Sequence, residues 1–167
     1  LKDINKVGES FGKLKPASSY CFIIKDEDGR NGCLSSVALA NENIDSARSF
    51  CFLMKNKDGM PGCLSGIKLG EGDFASATSY CYQIKDKDSF YGCLSGVELS
   101  KNDINRGESY CYSIKSKDGI QSCLSNVDAV KGNLKSAKNR CFLIASKDEM
   151  NGCLSGVEIE LIFESSK

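Results

Sequence analysis

Five times in 167 residues the chain places a cysteine, eleven other residues and a second cysteine, at 21/33, 51/63, 81/93, 111/123 and 141/153. A fixed period of thirty residues marks a repeat architecture, in which a small unit buries its apolar face only by stacking on its neighbours. The unit begins with Asn or Asp and an apolar residue. It continues through Ala or Gly to an aromatic, Cys, a second aromatic and Ile or Met, then turns and ends in Cys-Leu-Ser. The predicted divisions are 13–38, 39–68, 69–98, 99–128 and 129–158, flanked by a degenerate half-unit at 1–12 and a C-terminal strand extension at 159–167.

An even number of evenly placed cysteines reads as a disulfide framework and therefore an oxidising compartment. Structural zinc would call for closer cysteine pairs, often with His, and the chain has no His. Pairing within each unit is expected: Cys21 with Cys33, Cys51 with Cys63, Cys81 with Cys93, Cys111 with Cys123, and Cys141 with Cys153. Pairing from Cys33 to Cys51 and onward would strand Cys21 and Cys153. Closing a loop of this size stabilises by about 3 kcal/mol, and a thirty-residue unit is too small to fold without such help.

Before the first cysteine, apolar residues recur at a spacing of three, as in Ile44, Ala47, Phe50 and Phe74, Ala77, Tyr80. Asn43, Asp73, Asp103 and Asn133 stand ahead of them as N-caps, which predicts a helix of one or two turns. Around the cysteine the pattern changes to alternation. Tyr80, Tyr82 and Ile84 share one face of a strand, as do Phe50, Phe52, Met54 and their other copies. The segments "DEDG", "NKDG", "DKDS", "SKDG" and "SKDE" have the chemistry of a type I turn. After it "GCLSGVEL" alternates again, with Cys93, Ser95, Val97 and Leu99 on one side.

The predicted fold is therefore mainly β with a small α content: a tandem array of five disulfide-stapled β-hairpin units with short helical turns, stacked into a solenoid-like rod. Tyr20, Phe50, Tyr80 and Tyr110 would form one buried aromatic row, and Phe22, Phe52, Tyr82, Tyr112 and Phe142 another. Unstacked beads on a string are the alternative. Val157, Ile159, Leu161 and Phe163 would prolong the last strand and offer an open edge to another molecule. Arg140 and Ala145 depart from the pattern as a capping unit would require.

Charged residues balance at 22 against 22, which argues against nucleic acid and anionic membrane surfaces as partners. No apolar run approaches the roughly 20 residues of a membrane span, and "LKDINKVGES" reads as the start of a mature fragment. Without His, catalysis has no evident base. The recurrent Ser35, Ser65, Ser95, Ser125 and Ser155 are read as structural, so no enzyme, catalytic residue or cofactor is expected. Asp26, Asp28 and Asn31 resemble the start of a calcium loop, but only in the first copy, and turn chemistry is preferred to calcium at Asp26 and Asp28. Lys25, Lys55, Lys85 and Lys115 are read as flanking charges that discourage unwanted strand pairing.

The expected function is that of a secreted or cell-surface structural or adhesive repeat protein, self-associating through its repeat ends or C-terminal strand, in its sharper form a filament subunit. The competing expectation is a secreted, lectin-like module binding glycans at several weak sites. The regular aromatics count against it if they are core. The variable Gln83, Ser89, Phe90 and Tyr91 are where individual binding would then be sought.

Overall fold

The computed structural model describes residues 12–165, so the half-unit read at 1–12 lies almost wholly outside the described residues. Among the described residues there are ten α-helices and no strand, which overturns the mainly β expectation. Short and long helices alternate. The short ones are α1 (Lys15–Ile23), α3 (Ile44–Phe52), α5 (Phe74–Cys81), α7 (Ile104–Cys111) and α9 (Leu134–Cys141). The long ones are α2 (Glu27–Ala40), α4 (Gly59–Gly70), α6 (Lys87–Ser100), α8 (Lys117–Val130) and α10 (Lys147–Glu164).

Side-chain hydrogen bonds start most of these helices, but Asn133, expected to cap α9, makes none. Asn43, Asp73 and Asp103 cap the short helices by accepting the backbone N–H of Ser46, Ser76 and Arg106. The residues read as turns are the starts of the long helices instead. Asp26, Asp86, Ser116 and Ser146 sit in extended backbone and accept the N–H three residues on, from Gly29, Ser89, Gly119 and Glu149. A turn signature and a helix N-cap use the same residue types, and the residues C-terminal to them decide between the two. Each of the first four long helices ends in a tight left-handed turn. There Asn43, Asp73, Asp103 and Asn133 donate their N–H to the carbonyls of Ala38, Lys68, Glu98 and Asp128, with positive φ at Glu42, Gly72, Asn102 and Gly132.

The period of the core is helical. Ala77, Cys81 and Ile84 are buried, at offsets of four and three, as are Ala17, Cys21, Ile24 and Ala137, Cys141, Ile144. This spacing puts Tyr82 on a different face from Tyr80 and Ile84, so the alternating strand and its second aromatic row do not exist. On the long helices Leu94, Ser95 and Val97 are buried together, again a helical stripe and not one side of a strand. The C-terminal strand extension is likewise helix: α10 runs without a break from Lys147 to Glu164.

The repeats do not form an open rod. They close into a ring. Each long helix packs on the short helix that follows it, each short helix packs between two long ones, and α10 packs against both α1 and α2. Within the chain, Asp28 accepts the backbone N–H groups of Lys55 and Asn56, Asp58 those of Lys85 and Asp86, Asp88 those of Lys115 and Ser116, and Asp118 those of Ala145 and Ser146. The fifth member, Asp148, accepts from Lys25 and Asp26 at 3.0 and 2.9 Å, which joins the last unit to the first. The long helices form the inner wall with all their N-termini on one face, and the short helices lie outside.

Candidate functional site

Five copies of one loop, 22–29, 52–59, 82–89, 112–119 and 142–149, make up the face at the N-terminal ends of the long helices. Each loop is fixed at three points. A disulfide ties the short helix to the following long one, and the structure pairs Cys21–Cys33, Cys51–Cys63, Cys81–Cys93, Cys111–Cys123 and Cys141–Cys153, with Cα separations of 5.4–5.6 Å. The N-cap side chain holds the exit of the loop, and the aspartate of the preceding unit holds its middle. Backbone N–H groups donating to Asp118 and Asp148 hold both carboxyls below the usual carboxylate range.

The recurrent serines stand on the inner side of the same disulfides. Ser35, Ser65, Ser95 and Ser125 are buried and donate to the carbonyls of Ala47, Ala77, Gly107 and Ala137 on the next short helix. Ser155 lies 3.4 Å from the Cys21 sulfur, the equivalent approach across the closure. Asp26 and Asp28 serve different loops, one capping α2 and the other accepting from Lys55 and Asn56. The lysines 25, 55, 85 and 115 are exposed around this face, and the pKa of Lys55 is raised by its hydrogen bond and ion pair with Glu27.

What the loop anchors leave outward is aromatic. Phe52, Tyr82, Tyr112 and Phe142 occupy one position of four successive units and are 62%, 69%, 65% and 56% exposed. Phe22 holds the fifth position, partly buried. Leu53, Leu143 and Ile23 are exposed beside them. Helical geometry imposes this arrangement: with Cys81 directed into the core, the next residue is turned about 100° away from it. Beside Tyr82 the rim meets the half-buried rings of Phe90 and Tyr91 and, from the fourth unit, Tyr110. Tyr82 and Phe90 have ring centroids 5.7 Å apart, Phe90 and Tyr91 5.4 Å, and Tyr91 and Tyr110 6.3 Å. A shallow hollow of 230 Å³ on the third unit is walled by Tyr80 and lined by Lys68, Ser76, Ser79 and Gln83.

No protein family, curated protein or solved structure matches the chain. The chemistry of the surface is therefore the guide. Rings exposed one per unit at fixed spacing, next to hydroxyl, amide and ammonium groups, can stack on an apolar ligand face while neighbouring polar groups take hydrogen bonds. Reading these aromatics as core missed them. The offsets of four and three from Ala through Cys to Ile were the available signal that they point outward.

Proposed function

We propose that this chain is a secreted, multivalent binding module of lectin-like kind, whose rim of aromatic side chains takes glycans. The observation that carries the reading is the repeated exposure of Phe52, Tyr82, Tyr112 and Phe142, because it removes the objection that the regular aromatics are core. Sugar rings present apolar C–H faces that stack on aromatic rings, and their hydroxyls suit Ser76, Ser79 and Gln83 beside Tyr80. Single contacts of this kind are weak, and four on one ring gain by multivalency. Five disulfides fit an oxidising, extracellular setting, and no helix among the described residues is long and apolar enough to cross a membrane. Adhesion to a cell or matrix surface is the use such a module would serve.

Closure of the ring favours this reading over a head-to-tail filament. The repeat ends that would polymerise are joined to each other through Asp148, Lys25 and Asp26, and the C-terminal strand expected to add to a neighbouring sheet is helix.

A glycan array, run with and without chelator, tests the proposal. Binding of the intact chain to a group of related glycans is expected. Replacing Phe52, Tyr82, Tyr112 and Phe142 with Ala together should reduce avidity by about 10²-fold or more, while each single change costs far less. No glycan bound in either condition, or full binding by the quadruple variant, removes the reading.

A further inference from the structure

Three consecutive long helices, α6, α8 and α10, hold a second hollow between their N-terminal halves, on the inner wall of the ring, and none of the rim aromatics lines it. Its volume is 480 Å³, within the roughly 300–1,000 Å³ of small-molecule sites. The polar side chains that face it are unusual among the five units. Ser122 and Asn126 stand one turn apart on α8. The other units have Gly32, Gly62, Gly92 and Gly152 at the first of these positions, and Ser36, Gly66, Gly96 and Gly156 at the second. Ser36 folds back onto the Gly32 carbonyl, as Ser100 does onto that of Gly96. Ser122 and Asn126 make no such bond. Glu149, where the other units have glycine or Ser89, faces the same hollow from α10. Among the described residues, none donates to or accepts from these three side chains. A few polar groups converging on one hollow with their hydrogen bonds unmade is the composition of a small-molecule site.

Charge narrows the class of ligand. Asp86, Asp88 and Glu149 in the lining oppose an anion, while the positive ends of three helix dipoles meet there and oppose a cation. Two of the carboxylates are already engaged: Asp88 accepts the N–H groups of Lys115 and Ser116, and Asp86 accepts the N–H and hydroxyl of Ser89. Neutral hydroxyl groups fit what is left. They donate to Glu149, accept from the Asn126 amide and do both with Ser122. Ile114 offers an apolar contact to the C–H face of a sugar ring.

We propose that this hollow binds a small neutral polyhydroxylated molecule, a free monosaccharide. Its hydroxyls join Glu149 on α10 to Ser122 and Asn126 on α8. The hollow is open to solvent, so the outward hydroxyls keep their water and binding is weak, in the millimolar range. This site is separate from the aromatic rim, and the proposal does not rest on glycan binding there.

Proton–nitrogen correlation spectra of the intact, disulfide-bonded chain, recorded as glucose, galactose or mannose is added, test it. At least one sugar should shift the amide signals of Gly92, Gly119, Ser122 and Asn126 in a saturable way, and the uronate and 2-amino forms of that sugar should bind about threefold or more weakly. Asn126→Leu should weaken binding about tenfold or more, and Glu149→Gln about threefold or more, through lost hydrogen bonds. Gly92→Leu should abolish it by filling the hollow, where a Cβ meets no atom within 4 Å. The smaller Gly92→Ala change should weaken binding about threefold even if the leucine chain folds poorly. Replacing Phe52, Tyr82, Tyr112 and Phe142 with Ala together should leave these shifts as they are, which keeps failure of this site apart from failure of the rim. The proposal is overturned if no sugar shifts these signals, if the shifts fall only on the rim, if either charged form binds as tightly as the neutral sugar, or if folded Asn126→Leu or Gly92→Leu chains bind undiminished.

Discussion

Asp148 and Asp26 are separated by 122 residues of sequence, and the carboxylate of the first accepts the backbone N–H of the second at 2.9 Å. The same bond joins Asp118 to Ser146, at 2.9 Å, between neighbouring units. A contact that elsewhere links consecutive repeats thus links the last to the first, and it leads directly to a measurement. Asp148→Ala and Asp118→Ala should lower the thermal midpoint by similar amounts, because each strips two backbone donors of their acceptor. A chain that were an open rod would register the loss at Asp118 and ignore the one at Asp148.

Part of the pH dependence comes from the same carboxylates. Asp118 and Asp148 titrate below their ordinary range because each accepts two backbone N–H groups. A folded pKa below the unfolded value gives stability that is fully present above the unfolded pKa, near 3.9 for aspartate. It is lost as pH falls from there through the folded value. Melting temperatures between pH 7 and pH 2 should therefore hold steady until about pH 4 and then decline. The Asp118→Ala, Asp148→Ala double variant should start lower and show a shallower decline. An unchanged acid slope would show that other groups set it.

The period of thirty, the oxidised cysteines and the caps at Asn43, Asp73 and Asp103 were legible in the sequence, because each depends on local spacing or on one side chain reaching a nearby N–H. The choice between strand and helix was not. Tyr80, Tyr82 and Ile84 alternate as a strand would, while Ala77, Cys81 and Ile84 fit a helix, and the large aromatics outweighed the small buried residues in the reading. Burial reverses that weight: Ala77 and Cys81 are fully buried and Tyr82 is mostly exposed. Ring closure was illegible for a different reason. It depends on the angle between successive units, which no single repeat encodes, and its partners Lys25, Asp26 and Asp148 look like any other copies of themselves. Reading the period as that of a strand also hides the aromatic rim.

The disulfides should stabilise the ring as a whole. Cys81 and Cys93 are 12 residues apart, and removing such a cross-link releases about 3 kcal/mol of unfolded-chain entropy. The Cys81→Ala, Cys93→Ala chain should lose about that much in denaturant titration. In a closed ring each unit is packed on both sides, so a single cooperative transition is expected to persist. Fluorescence and far-UV circular dichroism should then give the same midpoint. Separate transitions would mean that units unfold independently.

Two glycines inside long helices supply a second stability test. Gly66 and Gly156 lie inside helices with open space where a Cβ would go. Replacing either with Ala should raise stability by about 0.5–1 kcal/mol, from lower unfolded-state entropy and better helix propensity. Gly70 is the contrast. A Cβ there would come within 2.9 Å of the Leu39 side chain, so Gly70→Ala should give no such gain.

The sharpest comparison sets an aromatic against an aliphatic residue. A strand with an aromatic core face would make Phe52 one of the costliest positions to truncate. In the ring Phe52 is 62% exposed, whereas Ile67 is 2% exposed and sits among Leu34, Val37 and Cys51. Ile67→Ala should therefore cost about 2–5 kcal/mol, through lost burial and the cavity left behind. Phe52→Ala should stay within about 0.5 kcal/mol of the parent chain in the same denaturant titration, as surface substitutions do. The two results also separate stability from binding. A Phe52→Ala chain with unchanged stability but weakened glycan response places that ring in recognition, and a chain that loses both would return Phe52 to the core.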